Sequence, residues 1–174
     1  MTGGGHEAVQ NLLLRMGTAM GFDVWVARND KSRVDAQALG GRLKESLPRQ
    51  FDDATNRTIE HIDVLWLKRN SIEAAFEIEH TTSIYSGLLR LADLAAMQPN
   101  LNIRLYLVAP DEKRDKVLQE IARPAFARLP TPLSEMCRYI SYSGLEEAAS
   151  KYAEVLSHLK ADFLDGISEA AELR

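Results

Sequence analysis

Ile62-Asp63-Val64-Leu65-Trp66-Leu67, a polar break at Lys68-Arg69-Asn70-Ser71, then Ala74-Ala75-Phe76-Glu77-Ile78-Glu79-His80: the reading of this stretch decides the fold. Two apolar runs flank a short turn, so it reads as a β-hairpin. Strand side chains alternate between faces, which puts Glu77 and Glu79 on one face and Phe76 and Ile78 on the other. If the hairpin closes around Arg69-Asn70-Ser71, Asp63 lies directly across from Glu77. Like charges across a strand pair repel, and burying them on a central sheet is costlier still. The usual compensation is a divalent cation, which favours hard oxygen ligands. The competing reading is a half-exposed strand with a solvated acidic face. Against it, Val64-Leu65-Trp66-Leu67 and Leu105-Tyr106-Leu107-Val108 are apolar on both faces, as in central strands.

Outward from the hairpin, His6 to Met20 has an apolar stripe at helical spacing and is closed by Gly21. Asp23-Val24-Trp25-Val26-Ala27 reads as a strand, and Ile84 to Met97 as a helix with Pro99 just beyond it. Asn102 to Val108 is a further strand, Asp111 to about Ala122 a helix, and Arg138-Tyr139-Ile140-Ser141 a short strand. A long helix is expected from Leu145 to about Leu164. Residues 28–58 read as a polar, irregular insertion with a brief helix near Leu39–Leu47. Trp25 and Trp66 are expected in the core. Thr81, Thr82 and Ser83 read as caps of the helix that follows them. Gly87 inside that helix costs about 1 kcal/mol relative to Ala, so it predicts close packing or the approach of a ligand. The order is an α/β domain with helices bracketing a mixed sheet.

The chain has 174 residues, 45% hydrophobic and 26% charged, the composition of an ordinary globular protein. It reads most simply as one domain over 1–174, with a core of about 5–122 and a C-terminal strand and helical extension over 123–174. No apolar run approaches the ~20 residues that cross a bilayer. Met1-Thr2-Gly3-Gly4-Gly5 lacks the basic and apolar segments of a signal peptide, so the expectation is a cytoplasmic protein without a membrane partner. A single Cys137 excludes a disulfide framework within the chain and a cysteine-rich zinc site. Net charge is −4, unevenly spread: residues 28–69 carry nine Lys/Arg against seven Asp/Glu, and residues 145–174 three against seven. Phosphate contacts need only a locally basic surface. Arg28, Lys31, Arg33, Arg42, Lys44 and Arg49 in the insertion form a candidate DNA-facing rim, the alternative being an ordinary charged loop. Arg90 is a candidate phosphate clamp or a solvated surface residue.

This order, with its acids in these places, resembles the restriction-endonuclease-like PD-(D/E)xK nuclease superfamily over roughly residues 5–122. Members have an αβββαβ core, an Asp opening the second core strand and a (D/E)-x-K on the third. Ile62-Asp63 matches the first element and Glu77-Ile78-Glu79 the second, except that Glu79 stands where Lys is usual. Some restriction enzymes of the superfamily carry Glu there and remain active. Gly5-His6-Glu7, Leu12-Leu13 and Gly21-Phe22-Asp23-Val24 are similar to the opening of resolvase-like members, in which a Glu near the helix start points at the metal. The resemblance implies a three-layer α/β fold and divalent-metal-dependent hydrolysis of DNA phosphodiester bonds, within a restriction, defence or repair system. It gives Asp63, Glu77 and Glu79 as the catalytic set. Asp63, Glu77, the Ile78 carbonyl and Glu7 would hold Mg²⁺ (or Mn²⁺), and Glu79 would orient or deprotonate water. The helix dipole alone also favours an acid at Glu7. His80 is an alternative ligand or base. Double-strand cleavage would call for a homodimer. The missing Lys leaves open a catalytically inactive nucleic-acid-binding or protein-assembly domain of the same fold, the latter using the acidic C-terminal helix. A Lys or Arg salt bridge filling the site would favour those rivals.

Overall fold

A computed structural model describes residues 5–48, 52–79, 84–98 and 102–172. Among them, six strands form one sheet in the order β1 (Asp23–Val26), β2 (Val64–Lys68), β3 (Ser71–Ile78), β4 (Arg104–Ala109), β5 (Cys137–Ser141) and β6 (Glu169–Ala170). β1, β2 and β3 run antiparallel in succession, β3, β4 and β5 are parallel, and β6 closes the far edge antiparallel to β5. The parallel pairs are joined through helices because a tight hairpin cannot join parallel strands. α3 (Ile84–Met97) links β3 to β4. α4 (Arg114–Ile121), α5 (Pro124–Ala127) and α6 (Leu133–Met136) link β4 to β5.

The strand faces sort into two cores. Trp25, Leu65, Leu67, Ile72, Ala75, Leu105 and Leu107 pack with Leu88 and Leu91 of α3 and Val117 and Ile121 of α4. Val24, Val64, Trp66, Phe76, Tyr106 and Val108 pack with Leu13 and Met16 of α1 (Gly5–Ala19) and Leu145 of α7 (Tyr142–Lys151). The mixed sheet is thus covered on both sides by helices, a three-layer α/β architecture of the restriction-endonuclease-like type. No described helix is long and apolar enough to cross a membrane.

Two sequence expectations are corrected. The brief helix near Leu39–Leu47 is instead a 3₁₀ turn at Gln37–Leu39 followed by a single bridge from Leu43 to Val24. The insertion also contains α2 (Asp53–Ile59), capped by the Asp52 side chain accepting from Thr55 N at 2.7 Å. The long C-terminal helix stops at Lys151 and gives way to 3₁₀ turns at Leu156–His158 and Ala161–Ile167. A straight twenty-residue helix would span about 30 Å. By turning, the chain buries Leu156, Ala161 and Leu164 and brings Asp165 Oδ1 within 2.9 Å of Tyr106 Oη. The acid of this tail is partly neutralised: Asp165 pairs with Arg104 and Glu169 with Arg114.

Candidate active site

The start of β2 and the ends of β3, β4 and β5 lie at one edge of the sheet, where Val64 faces Phe76, Ile78 faces Val108 and Ala109 faces Ser141. The carboxyl ends of parallel strands are where open α/β sheets bind ligands.

The hairpin register that sets the acids depends on a defect. The turn has two residues, Arg69 (φ 57°) and Asn70, with Lys68 opposite Ser71, rather than the three expected. On that count Asp63 would face Phe76, on the wrong side of the sheet. A bulge after Ile72 absorbs Glu73, so Trp66 faces Ala74 and Val64 faces Phe76. One step further, Asp63 stands across from Glu77. Directly opposed residues share a face, so the inserted residue is what turns Asp63 and Glu77 to the same side.

Asp63 Oδ2 accepts the backbone N–H of Ile78 at 2.8 Å, tying the head of β2 to the tail of β3. Its Oδ1 lies 3.5 Å from His6 Nε2 at the start of α1. Hydrogen bonding to Asp63 raises the His6 pKa, with burial working against it. Glu77 is wholly buried, and both its oxygens are held by the Arg90 fork from α3, Nε at 2.8 Å and Nη2 at 2.9 Å. Burial pushes the Glu77 carboxyl well above the usual range while Arg90 pulls it down. Glu79 is 9% exposed. Burial, then the charge of Asp63, raises its carboxyl from 4.5 to about 7. That carboxylate has no hydrogen-bond partner among the described residues, although Tyr142 Oη donates to the Glu79 carbonyl at 3.2 Å.

Gly87 explains how α3 comes so close. A Cβ there would stand 2.8 Å from Glu79 Oε1 and 3.2 Å from Glu77 Cβ, the close packing its sequence position suggested. Glu7 is exposed and makes no hydrogen bond or ion pair to the strand acids among the described residues. The structure brings its neighbour His6 to Asp63 instead. The sequence does not single out His6, because nothing in Gly5-His6-Glu7 tells which side chain of a first helical turn faces the sheet. His80, Thr81–Ser83 and Arg49 lie outside the described residues.

The basic rim divides. Lys31 Nζ sits 3.7 Å from the Trp25 ring centroid and donates to Glu45 O at 2.7 Å. Arg42 donates to Gly21 O at 2.9 Å. Both pin the insertion to β1. Arg28 pairs at 3.4 Å with Glu60 and Arg33 with Asp30, each with its side chain more than half exposed. These two stand near the acids: Gln10 Nε2 bridges Asp30 Oδ2 (3.1 Å) and the Asp63 carbonyl (3.2 Å), and Ala27 N donates to that same carbonyl at 3.2 Å.

Hard carboxylate oxygens suit a divalent cation such as Mg²⁺, and the Glu79 carboxylate, beside Asp63 and without a hydrogen-bond partner among the described residues, fits that chemistry. Those two residues offer oxygens as they stand, and Glu77 joins them only if Arg90 lets go. Consistently, no three His, Cys, Asp or Glu side chains among the described residues already form a metal-holding group.

A helix-covered mixed sheet with strand carboxylates gathered at the carboxyl ends of its parallel strands defines a restriction-endonuclease-like domain. The chain belongs to the family of the C-terminal domain of the type II restriction enzyme NmeDI, matched over residues 2–171. It is 35% identical over 155 residues to the type II restriction enzyme NmeDI of Neisseria meningitidis serogroup C, an alignment covering 83% of this chain and 42% of that protein. The chain therefore spans about two-fifths of the length of the curated relative it matches. No solved structure gives a significant match.

Proposed function

We propose that this domain is the metal-dependent DNA phosphodiesterase part of a type II restriction system. The carrying observation is the convergence of three acids, the buried Glu77 and Glu79 and the half-buried Asp63, on one face at the ligand-binding edge of the sheet, with α3 brought down onto them through Gly87. Gathering like charges on one face of a sheet costs the fold stability. In this reading Asp63, Glu77 and the Ile78 carbonyl would hold Mg²⁺ or Mn²⁺. When bound, the cation would polarise the phosphodiester and stabilise the leaving oxygen. Glu79, at about 7, accepts the proton of attacking water, because a base is most effective when its pKa lies near the working pH. Asp63 is kept in place by the Ile78 N–H and by Gln10 on its own carbonyl. Arg28 and Arg33 supply contacts to the DNA backbone, while Lys31 and Arg42 shape the rim that presents them. Glu7 is not needed.

The test is plasmid cleavage under divalent-metal titration. Wild type should nick or cut supercoiled DNA in Mg²⁺ or Mn²⁺, and Asp63→Ala should fall to background while still folding. Glu79→Gln should keep metal and DNA binding while slowing cleavage by ~10²–10⁴-fold. Equal cleavage by wild type and Glu79→Gln would remove Glu79 from the mechanism and leave Asp63 and Glu77 standing.

One observation favours a second reading, a DNA-binding domain that does not hydrolyse. Arg90 occupies both oxygens of Glu77, the salt bridge expected of an inactive site. DNA binding without cleavage across varied substrates, and without any metal-induced rise in melting temperature, would make that reading the better one.

A further inference from the structure

We propose that Arg90 is a resident counter-cation that blocks Glu77 in the metal-free protein and is exchanged for the incoming divalent ion, which frees its guanidinium for a phosphate. The inference rests on the metal-dependent reading above and deepens it. Glu77 is 0% exposed, whereas the Arg90 side chain bonded to it is 37% exposed. The Arg90 side chain is thus the partly exposed partner of a carboxylate that is itself shut off from solvent.

An ionised buried carboxylate left without a partner is strongly destabilising, so an ionised Glu77 needs a cation. Arg keeps its proton in a protein, so the guanidinium stays a cation throughout the physiological range. Another cation can take its place at the ionised carboxylate, and an oxygen-seeking divalent ion is the fitting competitor. α3 is anchored against the acids at Gly87, one turn before Arg90. The long, flexible Arg90 stem can therefore swing away while the helix stays. Once free, a guanidinium fork is well shaped for phosphate oxygens. The strand position where the related nucleases carry Lys holds Glu79 here, so the charge reaching the acids comes from α3 instead.

The test is calorimetric titration of Mn²⁺ into wild type, Arg90→Met and Arg90→Lys, with NMR of the Arg90 Nε–H resonance during Mg²⁺ titration of wild type. Removing the competitor should tighten Mn²⁺ binding by about 10-fold in Arg90→Met. Arg90→Lys, which cannot form the fork, should fall between the two. The wild-type Arg90 resonance should shift with the same midpoint as metal binding. If Arg90→Met does not fold, Arg90→Lys and the resonance decide the question. Mn²⁺ affinity in the variants equal to or weaker than wild type, or a resonance that stays fixed as metal saturates, overturns the exchange alone. Failure of every form, wild type included, to bind either metal overturns the metal-dependent reading and the exchange together.

Discussion

Two helix glycines admit strand side chains into the two faces of the same sheet, and they do opposite work. On one face Gly17 of α1 meets Trp66: a Cβ there would stand 2.6 Å from Trp66 Cδ1. The indole is wholly buried, stacked on Phe22 at 5.5 Å between centroids, and its Nε1 donates to Leu13 O at 3.0 Å. Every polar atom of that contact is satisfied inside the fold. On the other face Gly87 of α3 meets Glu77 and Glu79, the first held by Arg90 and the second with a carboxylate that has no hydrogen-bond partner among the described residues. Close approach to a rigid, satisfied ring builds stability. Close approach to carboxylates spends it, which is what a site for a cation or a substrate requires.

The largest effect expected from this contrast is at Gly17. Gly17→Ala forces a methyl into a rigid indole, and overpacking of that kind costs about 1–3 kcal/mol even after the ~1 kcal/mol that Ala gains over Gly in a helix. Denaturant unfolding should show the loss at every pH. A neutral result would mean that α1 is not locked by Trp66.

Glu79→Gln should act in the opposite direction. The Glu79 carboxyl is raised from 4.5 to about 7 in the fold, so the folded state holds a proton that the unfolded chain releases. Stability from this group is therefore highest at and below 4.5, declines as pH rises towards 7, and stays low above that. One pKa unit is worth about 1.4 kcal/mol, which bounds the penalty at about 3 kcal/mol. The metal-free variant should be more stable than wild type by ~1–3 kcal/mol at pH 8, converging with it near pH 4.5. A gain that does not change with pH would show that burial, not charge, is what Gln relieves.

The smallest stability effect is expected at Gly87. Its nearest neighbour is the flexible end of Glu79, so the displacement is cheap and Ala's helix propensity offsets it to within about 1 kcal/mol. The cost should fall on function: Gly87→Ala moves Glu79, and plasmid cleavage should drop while the melting temperature holds. Stability lost as heavily as in Gly17→Ala would erase the distinction between the two faces.

Much of the fold was legible because its signals are local. Helical spacing and Pro99 marked α3 with both ends as found, and the doubly apolar runs marked β2 and β4 as central strands. α2 was missed because Asp53-Ala54-Thr55-Asn56-Arg57-Thr58-Ile59 has only one strongly apolar residue; its cap and the burial of Thr55 and Ile59 hold it. The C-terminal turns read as helix because acidic and apolar residues alternate there at helical spacing, whereas in the fold the bend goes with the burial of Leu156, Ala161 and Leu164 and the pairing of Asp165 with Tyr106 and Arg104.

By itself the sequence determined five of the six strands, the helices α1, α3 and α4 and the presence of acids where a core strand has no use for them, since hydrophobic periodicity and turn residues act over a few positions. The tertiary structure alone decided which face each acid takes and what it meets. A one-residue change of register exchanges the two faces of a strand, so the bulge at Glu73 rather than the turn sets Asp63 opposite Glu77. Which first-turn side chain reaches Asp63, and which helix cation neutralises Glu77, follow from how α1 and α3 are rotated against the sheet. That rotation comes from packing around Gly17 and Gly87 over distances no local pattern records.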